Sequence, residues 1–247
     1  MSGDRLPVAF IADIHGNLEA LTAVLADIDA AGIDRIVSLG DNVGYGADPE
    51  AVVLRLQQRA IPSLLGNHEL ALINERYRQS LNPRALESIA TTRRLISPAT
   101  LAYIETLPSA FSLNGCLCVH GCPPDSVTRY LFHQRRRVLA RIFAGYEEVL
   151  CFHGHTHNLS LHRRDPDGTI ATLPTSQGTV QLACGSRYIV GIGSVGQPRD
   201  GSNTAKYLIH RPADSSVEFR AVAYDIATAA GKIIAAGLPE FNATRLW

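Results

Sequence analysis

The chain has no excess of either charge: Lys plus Arg and Asp plus Glu both total 23 among 247 residues, for a formal net charge of zero. Polymer-binding proteins usually carry a basic excess, so no polymeric nucleic-acid partner is expected. A small anionic substrate stays open, because bound cations supply positive charge that composition does not count. Long hydrophobic runs are also missing. The first apolar stretch, Val8 to Ala12, is too short for a signal-peptide core, and no stretch approaches a membrane span. Cysteine is scarce: Cys116, Cys118, Cys122, Cys151 and Cys184 make an odd number without a regular framework. With no secretory signal, reduced thiols and a cytoplasmic location are expected, with no membrane partner. Repeats, low-complexity tracts and linker-like stretches are absent as well. Residues 1–247 are therefore expected to form one domain, with 46% hydrophobic and 19% charged residues, the balance of a globular protein.

What is present is a rhythm of short apolar runs and helical patterns. Val8 to Ala12 reads as a buried strand, being continuous rather than alternating. Leu18, Leu21, Val24, Leu25 and Ile28 then recur at helical spacing, and Gly32 supplies a stop. Ile36 to Leu39 predicts a second strand, Asp48-Pro49-Glu50 the capped start of a helix, and Ile61 to Leu65 a third strand. Strands alternating with helices imply parallel pairing. Residues 70–108 break the rhythm with a helical pattern, read either as an insertion walling a substrate pocket or as a solvated layer over the sheet. Two more buried strands follow, at 116–119 and 149–152. The second half predicts strands at 169–172, 179–183, 188–192, 206–210 and 217–224, then a helix from about 226 to 236.

Each of the five buried runs ends in Asp, His or Asn, usually beside glycine: Asp13-Ile14-His15-Gly16-Asn17, Gly40-Asp41-Asn42, Gly66-Asn67-His68-Glu69, His120-Gly121 and His153-Gly154-His155-Thr156-His157. Ligands bind at the carboxyl ends of strands in open parallel sheets. Strand alternation is expected to turn Asp13 and His15 to one side. Buried carboxylates and imidazoles brought together are costly unless a cation compensates them. Mixed Asp, Asn and His donors without thiolate suit Mn²⁺, Fe, Ni²⁺ or Zn²⁺ better than Ca²⁺. Seven candidate ligands are too many for one tetrahedral zinc and suit two ions sharing a carboxylate.

This ordered set resembles the five motifs of the calcineurin-like metallophosphoesterase superfamily, spanning Asp13 to His157. The resemblance implies an α/β fold, a four-layer αββα sandwich, with the helical insertion around residues 70–108. It implies one metal ion on Asp13, His15, Asp41 and His157, and a second on Asp41, Asn67, His120 and His155. It also implies in-line attack of metal-bound hydroxide on a phosphodiester or nucleotide phosphoanhydride, with His68 as general acid. Gly44 stands where the phosphoprotein-phosphatase branch carries an acidic residue that orients the catalytic histidine, which leaves Asp48 or a backbone carbonyl to replace it. Gly44-Tyr45-Gly46-Ala47-Asp48-Pro49 and Gly193 to Asp200 are similar to small prokaryotic phosphodiesterases, some of which cleave asymmetric dinucleoside polyphosphates. A small phosphorylated substrate, a nucleotide among the candidates, is therefore the expected partner, with Asn17, Tyr45, Arg129, His133 and Arg199 as candidate substrate contacts.

The alternatives are a phosphomonoesterase or phosphoprotein phosphatase on the same site, and a catalytically idle protein-binding scaffold. The intact ligand set speaks against the scaffold, since idle proteins need not bear buried charge. A metallo-β-lactamase or amidohydrolase reading of the histidine string leaves Asp13, Asp41 and Asn67 unexplained. His153 is expected to end its strand without ligating. The run Cys116-Leu117-Cys118 reads as buried strand, not a zinc site. Cys122 is read as lying near the metals, and Arg135-Arg136-Arg137 as a solvated helix face.

Overall fold

The computed structural model describes residues 6–132 and 134–247, so His133 lies outside the described residues. The first half runs β1 (Val8–Ile11), α1 (Leu18–Ala30), β2 (Arg35–Ser38), α2 (Pro49–Gln58), then four helices, α3 (Asn67–Ile73), α4 (Glu75–Arg78), α5 (Pro83–Leu95) and α6 (Pro98–Glu105). These helices are the insertion expected around 70–108. They pack on α2 and one another through Val43, Val53, Leu72, Ile89 and Ile104. Next come β3 (Ala110–Leu113), β4 (Cys116–Val119), α7 (Arg136–Phe143), β5 (Leu150–His153), β6 (Leu159–Arg164), β7 (Ile170–Leu173), β8 (Gly178–Gln181) and β9 (Arg187–Ile192). The chain closes with β10 (Ala205–Arg211), β11 (Ser216–Val222), α8 (Ile226–Ala235) and α9 (Glu240–Thr244).

Two mixed sheets form, ordered β2-β1-β10-β11-β8 and β3-β4-β5-β9-β6-β7. The expected parallel pairing holds for β1 with β2 and for β4, β5 and β9, whereas β10, β11 and β6 join antiparallel. The sheets face each other across a core of Phe10, Phe152, Tyr188, Val190, Leu208 and Phe219, where the Phe10 and Phe152 rings stack at 4.2 Å. The outer face of the first sheet buries Ile11, Tyr207 and Ile209 against Leu21, Val24 and Ile28 of α1. The second buries Leu117, Cys151 and Ile189 against Leu139, Ile142 and Phe143 of α7. Helix, sheet, sheet, helix is the four-layer order expected. Cys116 and Cys118 belong to the inter-sheet core as free thiols. Among the described residues no helix is long and apolar enough to cross a membrane.

The third expected strand, 61–65, is reduced to one parallel bridge between Ser38 and Ser63. Ser38 donates its N–H to the Pro62 carbonyl and accepts from the Leu64 N–H. Pro62 has no N–H with which to extend the ladder.

One ion pair ties α1 to β10 and β11 of its sheet. Asp27 accepts from the Tyr207 hydroxyl at 2.7 Å and from Arg220 Nη2 at 2.8 Å. Burial opposes ionisation of Asp27, but the hydrogen bonds from Arg220 and Tyr207 outweigh it and lower its pKa. A depressed carboxyl pKa stabilises the fold above the unfolded value, near 3.9, and that stability disappears as pH falls through the folded value. Asp27→Asn should therefore flatten the acid limb of the stability curve, by about 1 kcal/mol for a part-exposed pair. Urea melts from pH 3 to 7 check this: a variant curve parallel to wild type below pH 4 would sink it.

Candidate metal centre

The loops after β1, β2, β4 and β5, with the start of α3, converge on one buried cluster. Asp13, His15, Asp41, His120, His155 and His157 are each at most 2% exposed, and Asn67 and His68 are 6% and 4% exposed. Backbone bonds lace the loops together: Asp13 N to Gly40 O at 3.0 Å, His15 N to Asp41 O at 2.9 Å, Gly154 N to His120 O at 3.0 Å and Gly196 N to Asp13 O at 3.0 Å.

Strand alternation is not what brings Asp13 and His15 together, because β1 ends at Ile11. Both residues sit in the left-handed region, at φ 52° and 51°, as do Asp41 (54°), His155 (63°) and His157 (60°). Such backbone is uncommon outside glycine and persists only where the surroundings enforce it. Five of the seven expected ligands thus owe their direction to strained turns, which the sequence pattern does not register.

The donor atoms fall into three groups whose members lie within 4.8 Å of one another: Asp13, His15 and His157; His15, Asp41 and His68; and Asp41, His120 and His155. Asn67 Oδ1 lies 3.2 Å from His120 Nε2. Four of the five histidines in the cluster have one ring nitrogen against a backbone carbonyl. His15 Nδ1 meets Val43 O at 3.1 Å, His120 Nδ1 meets Leu39 O at 2.8 Å, His157 Nδ1 meets Gln197 O at 2.6 Å and His155 Nε2 meets Thr128 O at 3.1 Å. A carbonyl only accepts, so each of these nitrogens carries a proton, and in His15, His155 and His157, which burial keeps neutral, the opposite nitrogen is left with a lone pair. This is the tether usual for histidines that ligate metals.

Its consequence tests the fit directly. His15 Nε2 and His157 Nε2 stand 3.1 Å apart, and the tethers leave each presenting a lone pair to the other. Nothing favourable holds two lone pairs there except a cation between or beside them. Burial lowers His15 and His157 well below the ordinary histidine range, and takes His155 down to about 3. Burial likewise raises Asp13 to about 8, helped by the charge of Asp41. His120 rises to about 9 because Asp41 and Asp13 overcome its burial. Without added cations the cluster cannot ionise all its carboxylates, and with cations it can, so the donor set fits divalent metal.

His68 differs from the tethered rings. Its Nδ1 is buried without a partner, because Gly44 lies directly against it and a Cβ there would collide with that nitrogen. Neither of the expected substitutes takes that place: Asp48 instead accepts from Lys232 Nζ at 2.9 Å, and no carbonyl reaches His68 Nδ1 among the described residues. Burial lowers His68 to about 4.

The candidate substrate contacts divide. Tyr45 packs its ring on His15 and His68 at 4.7 and 4.4 Å, and the Arg199 guanidinium lies 6.0 Å over the same ring. Asn17 has both ends of its amide committed, capping α1 at Ala20 N and holding Gly196 O. Arg129 lies beside Cys122 and lines a cavity with Pro123, Pro124 and Arg141. Cys122 packs in the apolar cluster under α7, its thiol raised by burial. His153 stays out of all three groups.

Two participants escaped the sequence reading. Tyr130 stacks on the His155 ring at 3.7 Å, and no local pattern announces it. Glu69, fully buried, accepts backbone N–H bonds from Asp41 (2.9 Å), Asn42 (2.7 Å), Val43 (3.2 Å) and Gly66 (2.9 Å). Its position three residues into α3 is a helix-capping signal that was legible.

Residues 6–159 match the calcineurin-like phosphoesterase family. An uncharacterized protein of Methanocaldococcus jannaschii is 33% identical over 97% of both chains. A metallophosphoesterase from Sphaerobacter thermophilus is 36% identical, with a TM-score of 0.85 over 98% of both chains. A hypothetical protein of Pyrococcus horikoshii, 20% identical, shares the fold at a TM-score of 0.79 over 98% of both chains.

Proposed function

Because the chain belongs to the calcineurin-like phosphoesterase family, we propose that it is a metal-dependent hydrolase of a phosphodiester or nucleotide phosphoanhydride. The observation that carries the reading is the pair of tethered histidines, His15 and His157, facing each other with lone pairs at 3.1 Å. We assign one divalent ion to Asp13, His15, Asp41 and His157 and a second to Asp41, Asn67, His120 and His155, with Mn²⁺, Fe²⁺, Ni²⁺ or Zn²⁺ compatible with these donors. Bound there, such ions supply charge neutralisation at the phosphoryl oxygens and acidify a water.

The protein's own groups do the rest. His68 is set apart from the ligands because it lacks their carbonyl tether. An orphaned lone pair costs less than an orphaned N–H, so the neutral ring is assigned its proton at Nε2, leaving Nδ1 bare against Gly44. That tautomer can hydrogen-bond a departing oxygen through Nε2, and it hands over that proton once Nδ1 has taken one up, so that a neutral imidazole is left behind. Arg199 and Tyr45 stand beside it to hold a non-reacting part of the substrate. The preference for diester over monoester rests on the segments 44–49 and 193–200, which resemble those of small phosphodiesterases and meet where Arg199 overlies Tyr45.

Replacing His68 with Asn should separate two kinds of leaving group. An alkoxide needs the proton, and kcat/KM on an alkyl ester is expected to fall by roughly 10²–10⁴, the usual contribution of general acid catalysis. p-Nitrophenolate leaves well without a proton, so less than about a tenfold loss is expected there. Equal losses on both esters would remove His68 from the acid role. The reading itself is tested with purified protein against bis-p-nitrophenyl phosphate and p-nitrophenyl phosphate in parallel. Monoester turnover alone would make the protein a phosphatase. No turnover with any of the four metals would sink the enzyme reading and favour the scaffold.

A further inference from the structure

A cavity of about 540 Å³ opens beside the metal centre, lined by Tyr45, Asn82 and Arg84 on one side and Phe241, Asn242 and Arg245 on the other. Tyr45 is its shared wall with the centre, since the same ring packs on His15 and His68. The far side comes from α9 and the residue after it, well beyond residue 159, where the match to the family ends. That side of the cavity therefore lies outside what the family match covers.

Its charge is unbalanced. The Arg84 and Arg245 guanidiniums both lie over the Phe241 ring, at 4.8 and 5.4 Å, which places the two charges within roughly a Debye length of each other, about 10 Å at 0.1 M salt. Arg211, Arg220, Lys206 and Lys232 each have a carboxylate partner. Among the described residues, Arg84 and Arg245 have none. Arg199, 6.0 Å over the Tyr45 ring, adds a third cation, and its Nε is buried without an acceptor. Asn242 fixes the geometry, donating from Nδ2 to the Tyr45 carbonyl at 3.1 Å and the Ser88 hydroxyl at 3.0 Å, and so locks α9 onto both the wall and α5. Like charges gathered in a preformed recess, with neutral walls and no internal counter-ion, are what a multiply charged anion requires.

We infer that this cavity is a second anion subsite, which holds a phosphate of the substrate that is not the one hydrolysed. The inference rests on the phosphoesterase reading above and narrows it to substrates with several phosphates in one chain, where one lies at the metal centre and a later one reaches past Tyr45 to Arg84 and Arg245. It makes α9 a specificity element.

Inorganic tripolyphosphate is the probe. Calorimetry on metal-free protein isolates the cavity from any metal-held phosphate. Wild type is expected to bind, Arg245→Gln to bind about tenfold more weakly, and the Arg84→Gln/Arg245→Gln double variant to weaken further. Arg245→Lys, which keeps the charge, should stay within about threefold and guards against a merely misfolded α9. Equal affinity of wild type and the double variant would overturn the inference. With Mn²⁺ present, tripolyphosphate should compete with bis-p-nitrophenyl phosphate, whereas binding without competition would make the cavity a separate effector site and also overturn it. If neither p-nitrophenyl ester is turned over but tripolyphosphate still binds through the two arginines, the anion subsite stands and the phosphoesterase reading alone fails.

Discussion

Asp41→Asn should lower kcat/KM on bis-p-nitrophenyl phosphate by on the order of 10³ or more, about 4 kcal/mol of transition-state stabilisation. Asp41 is common to two of the three donor groups: its Oδ2 lies 3.7 Å from His15 Nε2 and 3.4 Å from His120 Nε2. Its Oδ1 meanwhile accepts the His68 N–H at 2.8 Å. Asparagine retains an oxygen for that bond and nearly the same shape, so the backbone has no reason to move. What is removed is the negative charge both proposed ions would share. Metal content per chain should fall in parallel, read by elemental analysis after dialysis. The melting temperature of the metal-free protein should stay within a few degrees of wild type. Activity within tenfold of wild type, at unchanged metal content, would show that Asp41 does not bridge.

Glu69→Ala should cost stability even with no metal present. The side chain gathers four backbone N–H groups from two loops, and alanine leaves all four buried and unpaired. An orphaned buried donor costs about 1–3 kcal/mol, so a loss of about 4 kcal/mol survives generous relaxation or water entry. For a chain of this size that is a drop of roughly 8–16 °C in melting temperature. Glu69→Gln should fall between, because its amide NH₂ faces donors where a carboxylate oxygen accepted. Burial and the charge of Asp41 push the Glu69 carboxyl up to about 7, against the pull of His120 and of the Asn42 N–H. Thermal melts in EDTA separate this effect from metal loss. A Glu69→Ala melt within 2 °C of wild type would mean the loop over Asp41 to Val43 holds itself.

The metal centre was legible because its side chains are chemically unlike the strands they follow. Asp13, Asp41, Asn67, His120 and His155 each interrupt or end an apolar run, and identity alone marks them. The tethers were not legible: Leu39, Val43, Thr128 and Gln197 act through their carbonyls, and any residue would supply the same atom. The same limit hid the left-handed backbone at five ligands, since Asp and His carry no conformational signature as glycine does. Among the strands, β6 was missed because its sequence LSLHRR buries only Leu161 and His162 fully. β3 has no fully buried residue. Residues 61–65 erred the other way, being apolar enough for a strand yet interrupted by Pro62. Helix α9 follows Gly237 and Pro239 and offers a single turn, too short for periodicity to register, although with Arg245 just after it the helix forms one side of the Tyr45 cavity.

The position of β1 between β2 and β10, and of β5 between β4 and β9, bears on how the protein is made. Every proposed ligand has been synthesised by His157, but at that stage both ligand-bearing strands still have a bare edge. The Asp13 carbonyl also lacks Gly196 and Ser194, which grip it from the far end of the chain. Contacts this distant in sequence form late and slowly. A ribosome must translate some fifty further residues before β10 can close the first sheet. The seven proposed donors, all encoded before residue 158, are thus held in place by strands made after every one of them, so completion of the site belongs to the second half of the chain.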